Sequence, residues 1–283
     1  MHWGATATKA ASLLAKRPGL FCQVMLGKIN SVRRMPPMPV QRRIGDVIFE
    51  YDQANYRGTA PMYFGSYAPI VVAAMKRHLR PGDVFFDVGA NIGYLSAVAA
   101  ACVGSGGEVH SFEPVPAYFE RLQRLAELNP RHKIIPNCTG AGETCGEWTI
   151  AVTREPGQNT MVPAYKDGPE IVATLDVPIT RLDDYIAEKR ISRVSMIKID
   201  AEGFELPILK GLARYFEKSQ MRPAIICEIA PRAYPLMGTS LRDLESYMSR
   251  FGYRAFDLID GRSAVNLERI TQVEDVLFFA EAA

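Results

Sequence analysis

One segment constrains the fold of this chain more than any other: a buried strand that turns through glycine into a helix, Asp83-Val-Phe-Phe-Asp-Val-Gly-Ala-Asn-Ile-Gly-Tyr94. A short apolar run, a glycine turn and a helical stretch together open a βαβ unit. Gly89 and Gly93 allow a close approach of the backbone because glycine has no Cβ and adopts positive φ readily. The segment therefore predicts an α/β domain with a ligand site at the carboxyl end of this strand.

Apolar runs and helical stretches alternate after this segment, which indicates further βαβ units around a mostly parallel sheet. The predicted strands are 46–52, 83–88, 108–112, 133–137, 194–199, 223–228 and 253–257, and the predicted helices are 66–79, 93–102, 116–128, 181–189, 204–217 and 240–251. Residues 147–152 and 171–177 are typical of an antiparallel insertion at a sheet edge. The run 275–280 follows its predecessor too closely for a crossover helix, so we expect it to enter antiparallel.

Residues 1–43 are predicted to form a basic N-terminal helical extension with a Pro-rich connector, and residues 44–283 the main domain. Eight Lys and Arg precede residue 46 with no Asp or Glu, whereas the whole chain has 33 basic and 31 acidic residues, so the main domain is net acidic. This distribution argues against a nucleic-acid substrate, whose phosphates need basic residues on the body of the protein. We expect the extension, helical over 8–29 with a break at Pro18-Gly19, to pack on the domain. Contact with a membrane surface is the alternative.

The sequence contains no run of the roughly 18 apolar residues that a bilayer span requires. None of the five cysteines belongs to a C-x-x-C pair or has a histidine nearby at metal-ligand spacing. This pattern is typical of reduced structural thiols. These features predict a cytoplasmic protein, membrane-peripheral if the extension binds lipid. The pattern gives no indication of oligomeric state.

The glycine turn differs from a dinucleotide-binding fingerprint. Gly89-Ala-Asn-Ile-Gly93 has Asn91 at the position where the second glycine of G-x-G-x-x-G lets a pyrophosphate approach. Asp87, directly before the turn, would repel a pyrophosphate and attract a cation. The turn therefore favours S-adenosylmethionine, whose amino-acid end is cationic, over a nicotinamide dinucleotide.

A second acidic residue follows at a spacing typical of ribose recognition. The segment His110-Ser-Phe-Glu113-Pro114 ends the next strand, 20 residues beyond Gly93. A carboxylate there can accept both ribose hydroxyls of an adenosine cofactor that lacks a 2′-phosphate. Asn137 and Thr139 end the third strand, where we expect the adenine ring; a plain loop is the alternative.

Three motifs in order resemble the FkbM family of methyltransferases: Asp87-Val-Gly-Ala-Asn-Ile-Gly93, Phe112-Glu-Pro114 and Ile197-Lys-Ile-Asp-Ala-Glu-Gly-Phe-Glu205. The resemblance runs from about Gly65 to Ala280. It implies a Rossmann-like class I methyltransferase fold, in which a late antiparallel strand joins the parallel sheet. It also implies S-adenosyl-L-methionine as the methyl donor and an oxygen acceptor on a natural product, sugar or glycolipid.

The resemblance and the strand ends together give the expected cofactor site. Its residues are Asp87, Gly89, Ala90, Asn91, Gly93, Tyr94, Glu113, Pro114, Asn137, Thr139 and Asp200, with Asp200 facing the methionine end. One position departs from the family, many of whose members have an acidic residue before the proline that precedes the first strand. Here Tyr67-Ala68-Pro69 has Ala68, so a contact from an acidic side chain is not carried over.

Three acids at strand ends are the candidate catalytic residues. Methyl transfer to a hydroxyl requires alignment of the acceptor and removal of its proton. Asp200 and Glu202 follow the fourth strand and Glu228 ends the fifth. Glu202 is the preferred base because Asp200 is expected to serve the cofactor, and a helix-capping role is the alternative for Glu202. Lys198 is expected to pair with Glu205 or an edge carboxylate rather than with Asp200.

The sequence favours neither a histidine base, nor a bound metal, nor a different function of the same sheet. The histidines, His2, His78, His110 and His132, do not fall at accessible strand ends, so a histidine base is not supported. We predict no bound metal, with Mg²⁺ at the three acids as the alternative. A nicotinamide-dependent oxidoreductase is disfavoured by Asn91, and a non-catalytic cofactor-binding member by the intact acids.

The small-molecule or carbohydrate acceptor itself cannot be read from a motif. We expect its pocket in three variable parts of the chain: the loop at 158–160, the segment before Asp83, and the loop that contains Arg232 and Tyr234.

Overall fold

The computed structural model describes residues 7–30, 39–51, 59–153, 159–162 and 171–280. The helices are α1 (Ala7–Lys16), α2 (Pro18–Asn30), α3 (Thr59–Tyr63), α4 (Pro69–His78), α5 (Tyr94–Val103), α6 (Pro116–Leu128), α7 (Leu182–Glu188), α8 (Glu205–Lys210), α9 (Ala213–Lys218) and α10 (Leu241–Ser249). The strands are β1 (Val40–Ile44), β2 (Val47–Tyr51), β3 (Val84–Val88), β4 (Glu108–Phe112), β5 (Lys133–Asn137), β6 (Gly140–Ala141), β7 (Gly146–Thr153), β8 (Ile171–Thr180), β9 (Met196–Ile199), β10 (Ala224–Ile229), β11 (Tyr253–Asp257) and β12 (Glu274–Ala280).

Seven strands form the main sheet in the order β11-β12-β10-β9-β3-β4-β5. The pairs from β10 through β5 are parallel, and β12 is antiparallel to both of its neighbours. The chain reaches β12 from β11 without a crossover helix, and such a connection reverses the strand direction. The predicted fold class, a Rossmann-like α/β domain with a late antiparallel strand, is confirmed.

Both faces of the parallel strands are buried, which explains their continuous apolar runs. Successive residues of β3 point to opposite faces: Phe86 joins one core cluster and Phe85 the other, and neither is exposed. In β9, Ile197 and Met196 divide in the same way. This two-sided burial fixes the register of the strands, so the loops at their carboxyl ends are held in defined positions.

The predicted insertion forms its own small sheet. Strands β7 and β8 are antiparallel, as predicted, and β6 pairs with β8 in parallel to complete three strands that are separate from the main sheet. Ile150, Val177 and Ile179 join the same core cluster as Phe204, next to the start of α8. The insertion is therefore part of the domain core.

The N-terminal extension forms two helices, with the break at Arg17 and with Pro18 as the first residue of α2. Leu13 and Val24 pack with Ile259 of the main domain. The β1–β2 hairpin crosses the predicted domain boundary between residues 43 and 44, and most of the predicted connector lies outside the described residues. Within the described part of the chain, none of the helices is both long and apolar enough to span a membrane.

Candidate active site

The sheet order reverses between β3 and β9, because the chain continues from β3 to β4 on one side and from β9 to β10 on the other. Loops that leave the carboxyl ends of strands diverge at such a switch point and leave a crevice. Gly89 follows β3 and Asp200 follows β9, where the Asp200 N–H donates to the Val88 carbonyl (3.0 Å). The glycine turn found in the sequence thus lies where this fold binds ligands.

Gly89 and Gly93 are glycines because other parts of the protein occupy the space that a Cβ would need. A Cβ on Gly89, whose φ is +78°, would overlap the carbonyl oxygen of Asp200. We expected a ligand to approach the Gly89 backbone, but the backbone after β9 occupies the space next to the Gly89 Cα. Gly93 has a φ of +84°, and a Cβ there would meet Leu122 and Leu125 of α6, so this glycine serves helix packing.

Asp87 is a buried carboxyl group at the end of β3, 1% exposed. The Ser96 hydroxyl donates to it (2.5 Å) and lies 2.8 Å from the Ser111 hydroxyl. Burial raises the pKa of Asp87 to about 6, against the lowering effect of the Ser96 hydrogen bond. A bound cation would favour its ionised form.

The Glu113 carboxylate connects the glycine turn to the end of β4. It accepts the Asn91 N–H (2.8 Å) on one oxygen and the Val115 N–H (3.0 Å) on the other. Burial raises its pKa to about 7. Each oxygen retains a second lone pair, so Glu113 can still accept the ribose hydroxyls expected from its position.

A cavity of about 910 Å³ opens at the crevice. The predicted cofactor-binding residues that line it are Asp87, Gly89, Ala90, Asn91, Tyr94, Glu113, Pro114 and Asp200. Gly93, Asn137 and Thr139 are not among the lining residues. The Asn137 amide donates to the Ser111 carbonyl and the Thr139 hydroxyl to the Pro178 carbonyl, so both side chains bond to strand backbone instead.

The residues predicted to bind the acceptor lie only partly at this cavity. Asn159 lines it, as does Ala68 from the segment before β3. Gln158 lies outside the described residues. Arg232 is exposed and Tyr234 is 1% exposed, and neither is a lining residue. The loop after β10 thus contributes less than the sequence suggested.

The three candidate catalytic acids converge on the cavity. Asp200, Glu202 and Glu228 place carboxylate oxygens within 4.8 Å of one another. Burial, followed by the charge of Asp200, raises the pKa of Glu202 to about 8. Burial and the charges of Asp200 and Asp275 raise the pKa of Glu228 well above its ordinary value. Like charges this close disfavour simultaneous ionisation, so the cluster retains protons near neutral pH.

Mg²⁺ at these three acids stays an alternative hypothesis.

The position of Lys198 differs from the prediction. Its ammonium is 3.3 Å from Asp200 and 3.4 Å from Asp275, and the residue is 1% exposed. Burial alone would lower the pKa of Lys198, but the charges of Asp200 and Asp275 outweigh burial and raise it. The prediction that Lys198 avoids Asp200 was wrong because residues two apart on an extended chain point to the same side.

Asp275 is a site residue that the sequence analysis missed. It is the second residue of the antiparallel strand β12 and is paired in register with Glu228. Its position beside β10 depends on the insertion of β12 between β10 and β11, which no local pattern indicates. Its early position in the run 275–280 was the only available signal.

The structure also distinguishes the two roles considered for Glu202. Glu205, not Glu202, accepts the Gly203 N–H at the start of α8 (2.7 Å). Among the described residues, no hydrogen bond ends on the Glu202 carboxylate, while the Glu202 carbonyl accepts the Thr160 hydroxyl (2.9 Å). Glu202 has a left-handed backbone, with φ of +48°, a conformation that clusters at functional sites. Its carboxylate is thus available to a ligand.

None of the histidines that the structure describes lines the cavity. His110 is buried in β4, as predicted, with its ring nitrogens 2.7 Å from the Tyr185 hydroxyl and 3.2 Å from Glu108. Burial lowers its pKa. His2 lies outside the described residues.

These groups fit S-adenosylmethionine chemically. Among the described residues, these carboxyl groups outnumber the ammonium of Lys198 that contacts them, so the cluster favours a ligand that brings positive charge. Sulfonium and ammonium groups supply such charge. Glu113 at the same cavity has the lone pairs to accept hydroxyl groups.

Comparison with known proteins gives the same result. The family profile described as "Methyltransferase FkbM domain" matches residues 87–255. The 31-O-demethyl-FK506 methyltransferase FkbM of Streptomyces tacrolimicus is 28% identical over 162 residues, which cover 47% of this chain and 61% of the relative. The hexuronic acid methyltransferase AglP of Haloferax volcanii is 28% identical over 146 residues, 50% of this chain and 55% of the relative. The chain therefore spans less than two thirds of either relative.

Among solved structures, an FkbM methyltransferase from Methylobacillus flagellatus is similar with a TM-score of 0.45 and 17% identity, over 95% of this chain and 60% of that one. The family profile extends over more than half of the sequence and includes both the glycine turn and the acidic cluster. This chain belongs to the FkbM family of S-adenosylmethionine-dependent methyltransferases.

Proposed function

We propose that this protein transfers the methyl group of S-adenosylmethionine to a hydroxyl oxygen of a small-molecule or carbohydrate acceptor. The observation that carries the proposal is the acidic cluster of Asp200, Glu202 and Glu228 at the rim of a cavity that also contains the glycine turn. The cluster offers negative charge to a cationic donor and a proton acceptor to a hydroxyl.

The names of two relatives support an oxygen acceptor. One relative is named for 31-O-demethyl-FK506, a name that denotes an oxygen without its methyl group, and the other for a hexuronic acid. Both descriptions denote hydroxyl-bearing compounds. Because the chain spans little more than half of each relative, the acceptor class is part of the proposal.

Glu202 is the residue that we assign as general base. When bound, the cofactor supplies an activated methyl group, and the protein must align the acceptor and remove its proton. The pKa of Glu202, about 8, lies close to physiological pH, where a fraction of the side chains is ionised and the ionised form takes a proton readily. Asp200 forms an ion pair with Lys198, which makes Asp200 the weaker candidate for the base.

Calorimetric titration tests the donor first. We expect S-adenosylhomocysteine and S-adenosylmethionine to bind and NAD to give no signal. Tight NAD binding without binding of either adenosyl compound would favour the oxidoreductase alternative and overturn the proposal.

Methyl transfer is then measured by mass spectrometry on a panel of alcohols that includes hexuronic acid glycosides and 31-O-demethyl-FK506. Glu202→Gln should lower kcat by roughly 10²–10⁴-fold, the usual contribution of a general base. Its affinity for S-adenosylhomocysteine should be unchanged, since this product lacks the sulfonium charge. Full activity in EDTA would exclude the Mg²⁺ alternative, whereas full activity of Glu202→Gln would exclude Glu202 as base.

A further inference from the structure

We infer that the N-terminal helices α1 and α2 wall a compartment for the apolar part of the acceptor, so that the substrate is an amphipathic alcohol. The inference rests on the proposed function for the position of the reacting hydroxyl. It assigns to the basic extension a role in substrate selection that the family motifs, which begin after residue 80, do not contain.

The two helices are fixed to the main domain by contacts of different kinds. Lys16 pairs with Asp260 (2.5 Å), and the buried Asn30 amide donates to the Ser66 hydroxyl (3.0 Å). Gly27 lies so close to Ser66 that a Cβ on this glycine would be 2.9 Å from the Ser66 carbonyl oxygen. The helices thus have a defined position on the domain, unlike a frayed end.

The inner side of this helical pair lines the same cavity as the carboxylates. Six apolar side chains form this part of the lining, which we call the apolar compartment: Leu13, Phe21, Val24, Met25, Ile70 and Ile259. They come from α1, α2, α4 and the loop after β11. Phe21 and Met25 are only partly buried, so they still offer surface to a ligand.

The lining of the cavity therefore combines two chemically different groups of side chains. One group is the carboxylates of Asp200, Glu202 and Glu228, and the other is the apolar compartment. A volume of about 910 Å³ is near the upper limit of roughly 300–1,000 Å³ for small-molecule pockets, which leaves room for more than the cofactor. An alcohol with an alkyl chain or an apolar ring system matches both groups, because burial of its apolar surface is favourable.

A different apolar surface lies on the outer side of the same helices and provides the control. Leu14, Leu26 and Ile29 are 50–59% exposed and do not line the cavity. Leu26 neighbours Met25 on α2, so truncation of either residue removes a similar apolar side chain from the same helix. The two variants differ in which side of the helix loses it.

The probe is n-octyl β-D-glucoside, titrated below its micelle-forming concentration with and without S-adenosylhomocysteine, against methyl β-D-glucoside. We expect the octyl compound to bind at least about tenfold more tightly, from burial of its chain. Phe21→Ala and Met25→Ala should each weaken this binding roughly threefold to tenfold, and Leu26→Ala should leave it unchanged. Thermal melting by circular dichroism checks that all three variants fold.

Equal affinity for the two glucosides would overturn the inference, as would a loss in Leu26→Ala as large as that in Phe21→Ala, which would locate the binding on the outer surface. Failure of the proposed function is a separate result: it would appear as no binding of S-adenosylhomocysteine, whether or not the octyl glucoside binds.

Discussion

Glu113 is expected to bind ribose in addition to the backbone contacts that it makes. Its carboxylate holds the Asn91 and Val115 N–H groups and is also the proposed ribose acceptor. Glu113→Ala should weaken S-adenosylhomocysteine binding by about 1.5–3 kcal/mol, or roughly ten- to a hundredfold, the usual value of charge-assisted hydrogen bonds. Isothermal titration calorimetry measures the effect. Glu113→Gln, which keeps one side-chain oxygen, should lose less affinity for S-adenosylhomocysteine than Glu113→Ala. An unchanged dissociation constant in both variants would show that Glu113 does not bind the cofactor.

Glu202 should reveal its raised pKa when a cation binds. With a pKa of about 8, its carboxyl group is mostly protonated at pH 7, and a nearby sulfonium stabilises the ionised form. Binding of S-adenosylmethionine at pH 7 should therefore release up to about one proton per complex from this group. Calorimetry in buffers of different ionisation enthalpy counts the protons. S-adenosylhomocysteine, which lacks the positive sulfur, should release fewer, as should S-adenosylmethionine with Glu202→Gln. Equal release by Glu202→Gln and the wild type would assign the proton to another group.

At the scale of secondary-structure elements, the close approach of β3 and β9 depends on Gly89. Gly89→Ala combines an unfavourable positive φ with overlap against the Asp200 carbonyl oxygen, so the strand ends must separate. We expect a loss of about 2–4 kcal/mol in the free energy of unfolding, measured by urea denaturation. Gly82→Ala is the matched control, because Gly82 also has a positive φ (+87°) but nothing within 4 Å of an added Cβ. The control should lose about 1 kcal/mol, and equal losses in the two variants would show that overlap contributes nothing.

The sequence predicted elements well where the pattern was local. The strands from β3 to β12 of the main sheet and most helices follow directly from apolar runs and helical spacing. The predicted helix at 204–217 is divided into α8 and α9, because Gly211 lies against the Gly142 carbonyl of the insertion, where a Cβ would overlap. Likewise, β1 has no apolar run and exists through its pairing with β2. The first error involves a contact between distant parts of the chain, and the second a pairing between neighbouring strands that no apolar pattern indicates.

The candidate site shows the same limit. Asp87, Glu113, Asp200 and Glu202 were identified because each lies at or close to the carboxyl end of a predicted strand. Asp275 was missed because only the sheet order brings it to Lys198.

At the scale of the whole molecule, the cavity draws on segments far apart in the chain. Its lining includes Phe21 of α2, Asp87 of β3, Glu228 of β10 and Asp275 of β12. Acidic groups from several of these segments are buried together. A buried acid is most stable uncharged, so assembly of this site makes the folding free energy depend on pH.

The ligand-free protein should therefore lose stability as the pH rises from about 4 to about 8. The pKa is raised to about 6 for Asp87, about 7 for Glu113 and Glu205 and about 8 for Glu202, whereas unfolded carboxyl groups titrate near pH 4. A raised folded-state pKa stabilises the protein below the unfolded value, and this contribution disappears as the pH rises through the folded value.

Glu205 gives the sharpest test because it is fully buried and, unlike Glu202, does not line the cavity. Glu205→Gln keeps an oxygen for the Gly203 N–H but cannot ionise. We expect the free energy of unfolding of this variant, measured by urea denaturation, to match that of the wild type at pH 5 and to exceed it by about 1–3 kcal/mol at pH 8. Glu217→Gln, the same change at an exposed position on α9, should have the same free energy of unfolding as the wild type at both pH values. If Glu205→Gln shows the same pH dependence as the wild type, Glu205 ionises freely in the folded state and the cluster imposes no penalty on it.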